Sequence, residues 1–527
     1  MHIQCIDNIV TNTTKDLETL SQTLGHDDFN IYQNSIGALC SKYTEEEFEG
    51  SVTTVVTSFY LKSVSEKVYE NESSSSAKKT TSQLGRRYFT IVTLLSILFL
   101  GYIAIANDLK PIRIGSKVID TLAFSLNIQK PFYVIIIDAG STGSRVLAFS
   151  FHESILNHDL ILDTELFSET KPGLSSYADD PKNAAKSLIV LLDKAKSVIP
   201  QSEWSTTPLA MKATAGLRLL PGHKANNILE ECRKLFESSG FRVSKNSISI
   251  MDGASEGIFS WFTVNFLLDR LNAHTYDNTV AALDLGGAST QITFISDKTQ
   301  AKELKQHVYA INAFSYNMSL YTQSYLDMGL MAARKEILTH GMNIKNATNK
   351  DAIIIRSECI NPIVSTQWSY GGKNYIVKGP VNGTYKTVKT QNYAGGDENR
   401  PIVKFSECLK IIETYVNKVI KKPVGLNNQD VYAFSYYFDR ATEVGLIDPF
   451  SGGVILLSSF MKQAMETCDY PNTDQPFICL DLTYIYVLLH NGFGLEPTTK
   501  LFLYKKVSGH ELSWALGAAF NILQNGL

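Results

Sequence analysis

Neither sign of charge dominates this chain. Its 527 residues carry 49 Lys and Arg against 52 Asp and Glu, a net charge of −3, with no basic cluster interleaved with aromatic residues. That leaves no nucleic-acid footprint. Cysteine is scarce as well: there are seven, none in a CxxC pair or beside clustered histidines, so no spacing suits zinc. No Ser/His or Cys/His constellation stands out, which removes the usual signature of a covalent nucleophile. Only one stretch, 88–106, is uncharged and mostly apolar for about 19 residues, enough to cross a bilayer as one helix. It starts too far into the chain, and lacks the small-residue site, for a cleaved signal peptide.

What is present is concentrated in two glycine-rich turns of one design. Asp138-Ala139-Gly140-Ser141-Thr142-Gly143-Ser144-Arg145 follows the apolar run Tyr133-Val134-Ile135-Ile136-Ile137. Asp284-Leu285-Gly286-Gly287-Ala288-Ser289-Thr290-Gln291 follows Val280-Ala281-Ala282-Leu283. Each reads as a buried strand, a carboxylate at its end, a turn of Gly and Ser, and a second β-rich run. Small residues let backbone N–H groups approach a phosphate, and an Asp can hold a divalent cation directly or through water. The repetition points to two related half-domains facing a polyphosphate in the cleft between them.

Between the turns lie Lys212-Ala213-Thr214-Ala215-Gly216-Leu217-Arg218 and Met251-Asp252-Gly253-Ala254-Ser255-Glu256-Gly257, the latter opening a helix predicted to run to about Leu271. In order and wording, the four segments resemble the first four apyrase-conserved regions of the ectonucleoside triphosphate diphosphohydrolase family. Tyr432-Ala433-Phe434-Ser435-Tyr436-Tyr437-Phe438-Asp439-Arg440-Ala441, Cys479-Leu480-Asp481-Leu482-Thr483-Tyr484 and Trp514-Ala515-Leu516-Gly517-Ala518 look like its nucleoside-diphosphatase branch. The resemblance covers roughly 131–523 and leaves out the first 130 residues.

Alternating β and α elements argue for an α/β protein. The resemblance implies the actin-like (ribonuclease H-like) version, with duplicated half-domains and a nucleotide cleft between them. The domain reading is a tail at 1–87, a membrane span at 88–106 and a stalk at 107–130. A first half-domain at 131–247 and a second at 248–511 follow, with a terminal helix at 512–527 crossing back to the first.

Phosphoanhydride hydrolysis needs charge neutralisation, donors around the transferring phosphoryl and a base for water. Asp138 and Asp284 suit a Mg²⁺ or Ca²⁺ site. Ser141, Thr142, Gly143 and Ser144 form one phosphate cradle, and Gly286, Gly287, Ala288 and Ser289 the other. The resemblance makes Thr214 a phosphate contact, Gln291 a water-orienting group and Glu256 the general base, with Asp252 better suited to capping the helix. Arg145 is read as a phosphate contact or a surface ion pair, and Arg218 as structural. Tyr436 and Phe493 are candidates to stack on the nucleotide base, against the plainer reading of each as a core residue. Cys359 with Cys408, and Cys468 with Cys479, are the expected disulfides, as the family has bridges in comparable places. Cys232 is left as a buried thiol.

The function implied is metal-dependent hydrolysis of UDP and GDP in the Golgi or endoplasmic reticulum lumen, in support of glycosylation. The alternatives are a cell-surface apyrase acting on ATP and ADP, and an actin-like module that binds nucleotide without turnover. Charges flank the span almost evenly, so orientation comes from the sequons at Asn317, Asn346 and Asn382, from five cysteines downstream, and from the family's luminal catalytic domains. Sequons at Asn12 and Asn71 in the tail weaken the count. A single-pass type II membrane protein with a cytosolic tail is the expectation.

Overall fold

The computed structural model describes Val92, Thr93 and Ser96, scattered residues from Asp120 to Leu126, and 128–525 except 156–159, 272–277, 297–305, 314–315, 343–351, 390–396, 424 and 427–428. The fold belongs to the unit Ser116–Leu527. The expected tail lies outside the described residues, as do most of the span and the stalk. Val92, Thr93 and Ser96 are helical, and among the described residues no helix is long and apolar enough to cross a membrane.

The protein is α/β, and one strand plan occurs twice. In the first sheet β1 (Phe132–Ala139), β2 (Ser144–Glu153) and β3 (Leu160–Thr170) form an antiparallel meander, and β4 (Leu209–Ala213) and β5 (Ile248–Ile250) add in parallel beside β1, giving the order β3-β2-β1-β4-β5. In the second sheet β6 (Ala281–Leu285), β7 (Ser289–Ile295), β8 (Val308–Ala313) and β9 (Tyr316–Leu326) are antiparallel neighbours. Five strands of an insertion follow, β10 (Ile353–Arg356), β11 (Ser365–Tyr370), β12 (Lys373–Lys378), β13 (Thr384–Lys389) and β14 (Asp397–Ile402). Then β15 (Val431–Ser435), β16 (Gly453–Leu456) and β17 (Lys500–Leu503) complete the order β16-β17-β15-β6-β7-β9-β8. Its inner run β9-β7-β6-β15-β17 repeats the first sheet strand for strand, with β15 parallel to both β6 and β17. Because β5 pairs in parallel with β4, the half-domain boundary expected at 248 is corrected to follow Ile250.

Period-2 geometry explains the apolar runs. Ile135, Ile137 and Ala139 of β1 enter one core, while Val134 and Ile136 enter another, so a strand covered on both faces has no polar alternation. The first of those cores is roofed by helices α1 (Pro181–Ser187), α2 (Ile189–Val198) and α3 (Gly222–Glu237). Asp180 caps α1 by accepting from the Asn183 N–H at 3.3 Å. Cys232 on α3 is a free, buried thiol whose pKa burial pushes up to about 12.

The two half-domains meet through two helices. α4 (Gly253–Leu267) packs on β6, β7 and β9, and the closing helix (Trp514–Asn525) packs on β1, β2 and α4. α4 is apolar around most of its circumference, as a helix between two layers must be; Trp261 and Val264 on it are fully buried. It ends at Leu267, short of the expected Leu271. The return of the closing helix to the first sheet is as the sequence led us to expect.

Candidate active site

Both glycine-rich turns open into one cleft between the half-domains, a cavity of about 610 Å³ whose wall includes Asp138, Ser141, Thr142, Thr214, Glu256, Asp284, Gly286, Gly287, Ala288, Ser289 and Tyr436. The turns nearly touch. A Cβ built on Gly287 would lie 2.7 Å from Thr142 Cγ2 and closer still to Ser141 Oγ, so only glycine fits there. Gly143 and Ser144 are not part of that wall, which corrects the first cradle. Ser144 is already the first residue of β2, paired with Ala139 and fully buried.

Strand ends place the carboxylates. Asp138 is the next-to-last residue of β1 and Asp284 of β6, and each is only 7% exposed. Asp138 Oδ2 accepts from Arg145 Nη1 at 3.2 Å, while its Oδ1 is buried without a partner. Asp284 Oδ1 accepts from Ser435 Oγ at 2.7 Å and its Oδ2 from Ser260 Oγ at 3.4 Å. Burial raises the pKa of Asp138 against the pull of Arg145. It pushes Asp284 up to about 6, the Ser435 bond opposing and the charge of Asp138 adding.

Glu256 stands in the first turn of α4, whose N-terminus is capped by Asp252 accepting from the Ser255 N–H at 2.9 Å. Asp252 therefore has the capping role expected of it. Glu256 is 6% exposed and forms an ion pair with Arg218. Burial pushes its pKa up to about 8; Arg218 opposes this, and Asp284 and Asp138 add to it. Three acids in one cleft thus hold their protons more tightly than usual, chiefly because burial penalises their charged forms, with neighbouring carboxylates adding at Asp284 and Glu256.

A hard divalent cation fits this donor set. The orphaned Asp138 Oδ1 is an unused oxygen donor, and a cation beside it would favour the ionised forms that burial disfavours. Among the described residues no group of three or more His, Cys, Asp or Glu side chains is placed to ligate one ion.

Thr214 lines the cleft and precedes the one-turn helix Ala215–Arg218 that carries Arg218. Gln291 on β7 sits behind the wall, 1% exposed, with Nε2 donating to Ser289 Oγ and Ser324 Oγ at 2.8 Å each. Its Oε1 is buried and unpaired. Tyr436 lines the cleft at the start of α5 (Tyr436–Glu443). Phe493 does not: it is 1% exposed and packs in the core beside Tyr325, ring centroids 6.0 Å apart. A π-helical turn at Leu488–Gly492 closes α6 (Ile478–Val487) and turns Phe493 inward, which removes it as a base-stacking residue.

Among the aromatics that do share the wall with Tyr436 is Phe477, under the Arg334 guanidinium at 4.3 Å. Arg334 Nε donates to the fully buried Asp481 at 3.1 Å, and Arg440 Nη1 reaches the same carboxylate at 3.3 Å. The Cys468–Cys479 disulfide closes the loop bearing Phe477, and Cys359–Cys408 closes the insertion, so both expected pairings are formed. The sequence did not single out Ser435 and Phe477, and it read Arg218, now paired with Glu256, as structural. Only Ser435 left a structural signature of its own. It adopts φ 58°, a strained conformation for a non-glycine residue, where β15 turns sharply into α5.

The sequon residue Asn382 is exposed in the insertion. The side chain of Asn317 and all of Asn346 lie outside the described residues.

A family model described as the GDA1/CD39 (nucleoside phosphatase) family matches residues 126–526. Among curated relatives, nucleoside diphosphate phosphatase ENTPD5 of Homo sapiens is 41% identical over 398 residues, 75% of this chain and 88% of that protein. Ectonucleoside triphosphate diphosphohydrolase 5 of Mus musculus is 40% identical over 399 residues, with the same coverage of 75% and 88%. Ectonucleoside triphosphate diphosphohydrolase 6 of Mus musculus is 37% identical over 399 residues, 75% of this chain and 82% of that one.

Proposed function

Because the chain belongs to the GDA1/CD39 family of nucleoside phosphatases, we propose that it hydrolyses nucleoside diphosphates, UDP and GDP, to the monophosphate and phosphate. The observation that carries this is the place of Glu256, a buried carboxylate in the same cleft as both phosphate turns. A module that only bound nucleotide would have no use for a proton acceptor there. The relative named as a nucleoside diphosphate phosphatase supports the choice of diphosphates.

In this reading Glu256 takes a proton from the attacking water as its oxygen approaches the terminal phosphorus. The P–O bond to the nucleoside monophosphate breaks on the opposite side, and direct transfer to water leaves no covalent intermediate. Arg218 opposes the cost of burial and favours the ionised, proton-accepting form of Glu256. Gln291 holds its one free acceptor, Oε1, for the second hydrogen of that water. Backbone N–H groups of the Ser141–Thr142 and Gly286–Ser289 turns cradle the phosphates, with Thr214 beside them. Asp138 and Asp284 would hold Mg²⁺ or Ca²⁺, which supplies neutralisation of the phosphate charge. Tyr436 and Phe477 would pack against the base.

Phosphate release from UDP, GDP, ADP and ATP by the catalytic unit tests the reading. UDP and GDP should give kcat/KM at least about tenfold above ATP, which needs only ~1.4 kcal/mol of differential transition-state binding. Faster turnover of ATP would make the protein an apyrase, and nucleotide binding with no turnover would make it a binding module.

We further propose a type II membrane protein whose catalytic unit lies in the Golgi or endoplasmic reticulum lumen. Two disulfides in that unit fit an oxidising compartment, and the exposed Asn382 fits an acceptor for glycan. Glycan at Asn317, Asn346 or Asn382, with Asn12 and Asn71 bare and only the tail lost to protease in sealed microsomes, is the expected result. Glycan at Asn71 would reverse the orientation.

A further inference from the structure

After β17 the chain leaves the second half-domain for the first. It crosses through a short hairpin, β18 (Lys506–Val507) paired with β19 (His510–Glu511), and enters α7 (Trp514–Asn525). This crossover is tied to β3 of the first half-domain. The backbone N–H of Glu511 donates to Glu165 Oε1 at 3.1 Å, and Lys505 Nζ lies 5.8 Å from the centroid of the Phe167 ring, two residues along the strand.

The tie brings two acids together in a place where neither is comfortably charged. Glu511 is 7% exposed, and Glu165 is half-buried. Oε2 of each is buried with no hydrogen-bond partner. Buried carboxylate oxygens without donors carry a large desolvation cost when ionised, which a proton on the carboxyl removes.

The surrounding charges do not remove that cost. Lys505 Nζ stands 3.9 Å from Glu511 Oε1 on a side chain 53% exposed, a weak, solvent-screened pairing. Lys506 is opposite Glu511 in the hairpin register. It lowers the pKa of Glu165 and Glu511, but in each case burial is the larger effect and raises it. His510 on the same hairpin is held below its ordinary pKa by burial and by Lys506, so it adds no fixed positive charge. From the cleft side, Arg145 on β2 and Asp439 on α5 act on Glu511 in opposite directions. Burial pushes Glu165 up to about 7, with the hydrogen bond from the Glu511 N–H opposing and the charge of Glu511 adding.

We propose that Glu165 and Glu511 form a proton-dependent clasp that fastens the crossover hairpin to the first half-domain, so that losing the proton slackens the joint on which the phosphate cleft is hung. Glu511 itself lies in the cleft wall, as do Lys505 and Leu512, so the clasp and the cleft share a segment. The sign follows from linkage. A carboxyl whose folded pKa lies above its unfolded value stabilises the fold fully below the unfolded value, and that stabilisation is lost as pH rises through about 7. The clasp is therefore closed in mildly acidic surroundings and loosened above neutrality, whatever the substrate of the site.

Hydrogen exchange of the full chain, corrected for the intrinsic pH dependence of exchange, reads this directly. Protection of 160–170 and 505–512 in the wild type should fall about tenfold between about pH 5.5 and about pH 8. Glu165→Gln keeps an acceptor for the Glu511 N–H and cannot ionise, so its protection should stay level across that range. Glu511→Gln should do the same. Wild type and both variants sharing one pH slope would overturn the clasp. Because Gln imitates the protonated acid, failure of either variant to fold would also count against it.

Discussion

Arg218 and Glu256, the latter in the cleft wall, are joined side chain to side chain, the arginine from the one-turn helix after β4, the glutamate from the first turn of α4. The pair connects the two segments that follow adjacent parallel strands of the first sheet. It also opposes the rise that burial gives the Glu256 pKa. Removing the arginine as Arg218→Gln leaves a hydrogen-bond donor but no counter-charge. The Glu256 pKa should then climb further above about 8, moving the ascending limb of the kcat–pH profile to higher pH. At neutral pH, kcat should fall with the ionised fraction of Glu256, about tenfold if its pKa climbs by about one. Superimposable pH profiles would show that the pair does not tune the base.

Glu256→Gln keeps the size and the contact with Arg218 but cannot take a proton. Turnover should fall by about 10²–10⁴ while nucleotide binding survives. Isothermal titration with a non-hydrolysable diphosphate, beside phosphate-release kinetics, separates the two. Near-normal turnover in a folded variant would remove Glu256 from the reaction.

Asp138 and Asp284 are predicted to share one divalent cation. Chelator should abolish activity, and Mg²⁺ or Ca²⁺ should restore it. Asp284→Asn can still accept from Ser435 and Ser260 but loses its charge, so the cation concentration for half-maximal activity should rise together with the loss of turnover. Undiminished activity in excess chelator would exclude the site.

Tyr436 and Phe493, equal candidates in the sequence, should now behave oppositely. Tyr436→Ala should raise KM for UDP and GDP by a similar factor, because stacking is nearly blind to base identity, and Phe477→Ala should do likewise. Phe493→Ala should instead cost about 3–5 kcal/mol of stability through the cavity it leaves, with KM almost unchanged. Urea unfolding and steady-state kinetics on the same preparations make the comparison.

The two disulfides should separate in the same way. In the loop-entropy relation, closing the 49-residue separation of Cys359–Cys408 is worth about 4 kcal/mol and the 11-residue separation of Cys468–Cys479 about 3 kcal/mol. Their loss should therefore lower stability comparably. Only the second positions Phe477, so replacing Cys468 and Cys479 by Ala should raise KM for nucleotide more than replacing Cys359 and Cys408. Equal effects on KM would detach that loop from the nucleotide.

Local chemistry alone determined much of this protein. A buried strand with a carboxylate at its end and a turn of small residues can be recognised anywhere in a chain, since every part of it is adjacent in sequence. Two such units announced Asp138, Asp284 and the cleft-facing turns, and a helix start with an Asp cap announced Glu256. The duplicated strand order follows from the same alternation of elements, although the edge at β5 needed the pairing with β4 to be assigned. Contacts between distant segments were decided only by the tertiary structure. Arg218 meets Glu256 across 38 residues and Ser435 meets Asp284 across 151, distances over which no sequence pattern carries a signal. Phe493 and Phe477 differ only in which way a helix end and a closed loop turn them, and the Glu165–Glu511 tie spans 346 residues. Burial then sets the pKa values of these groups, and burial is a property of packing that the order of residues does not state.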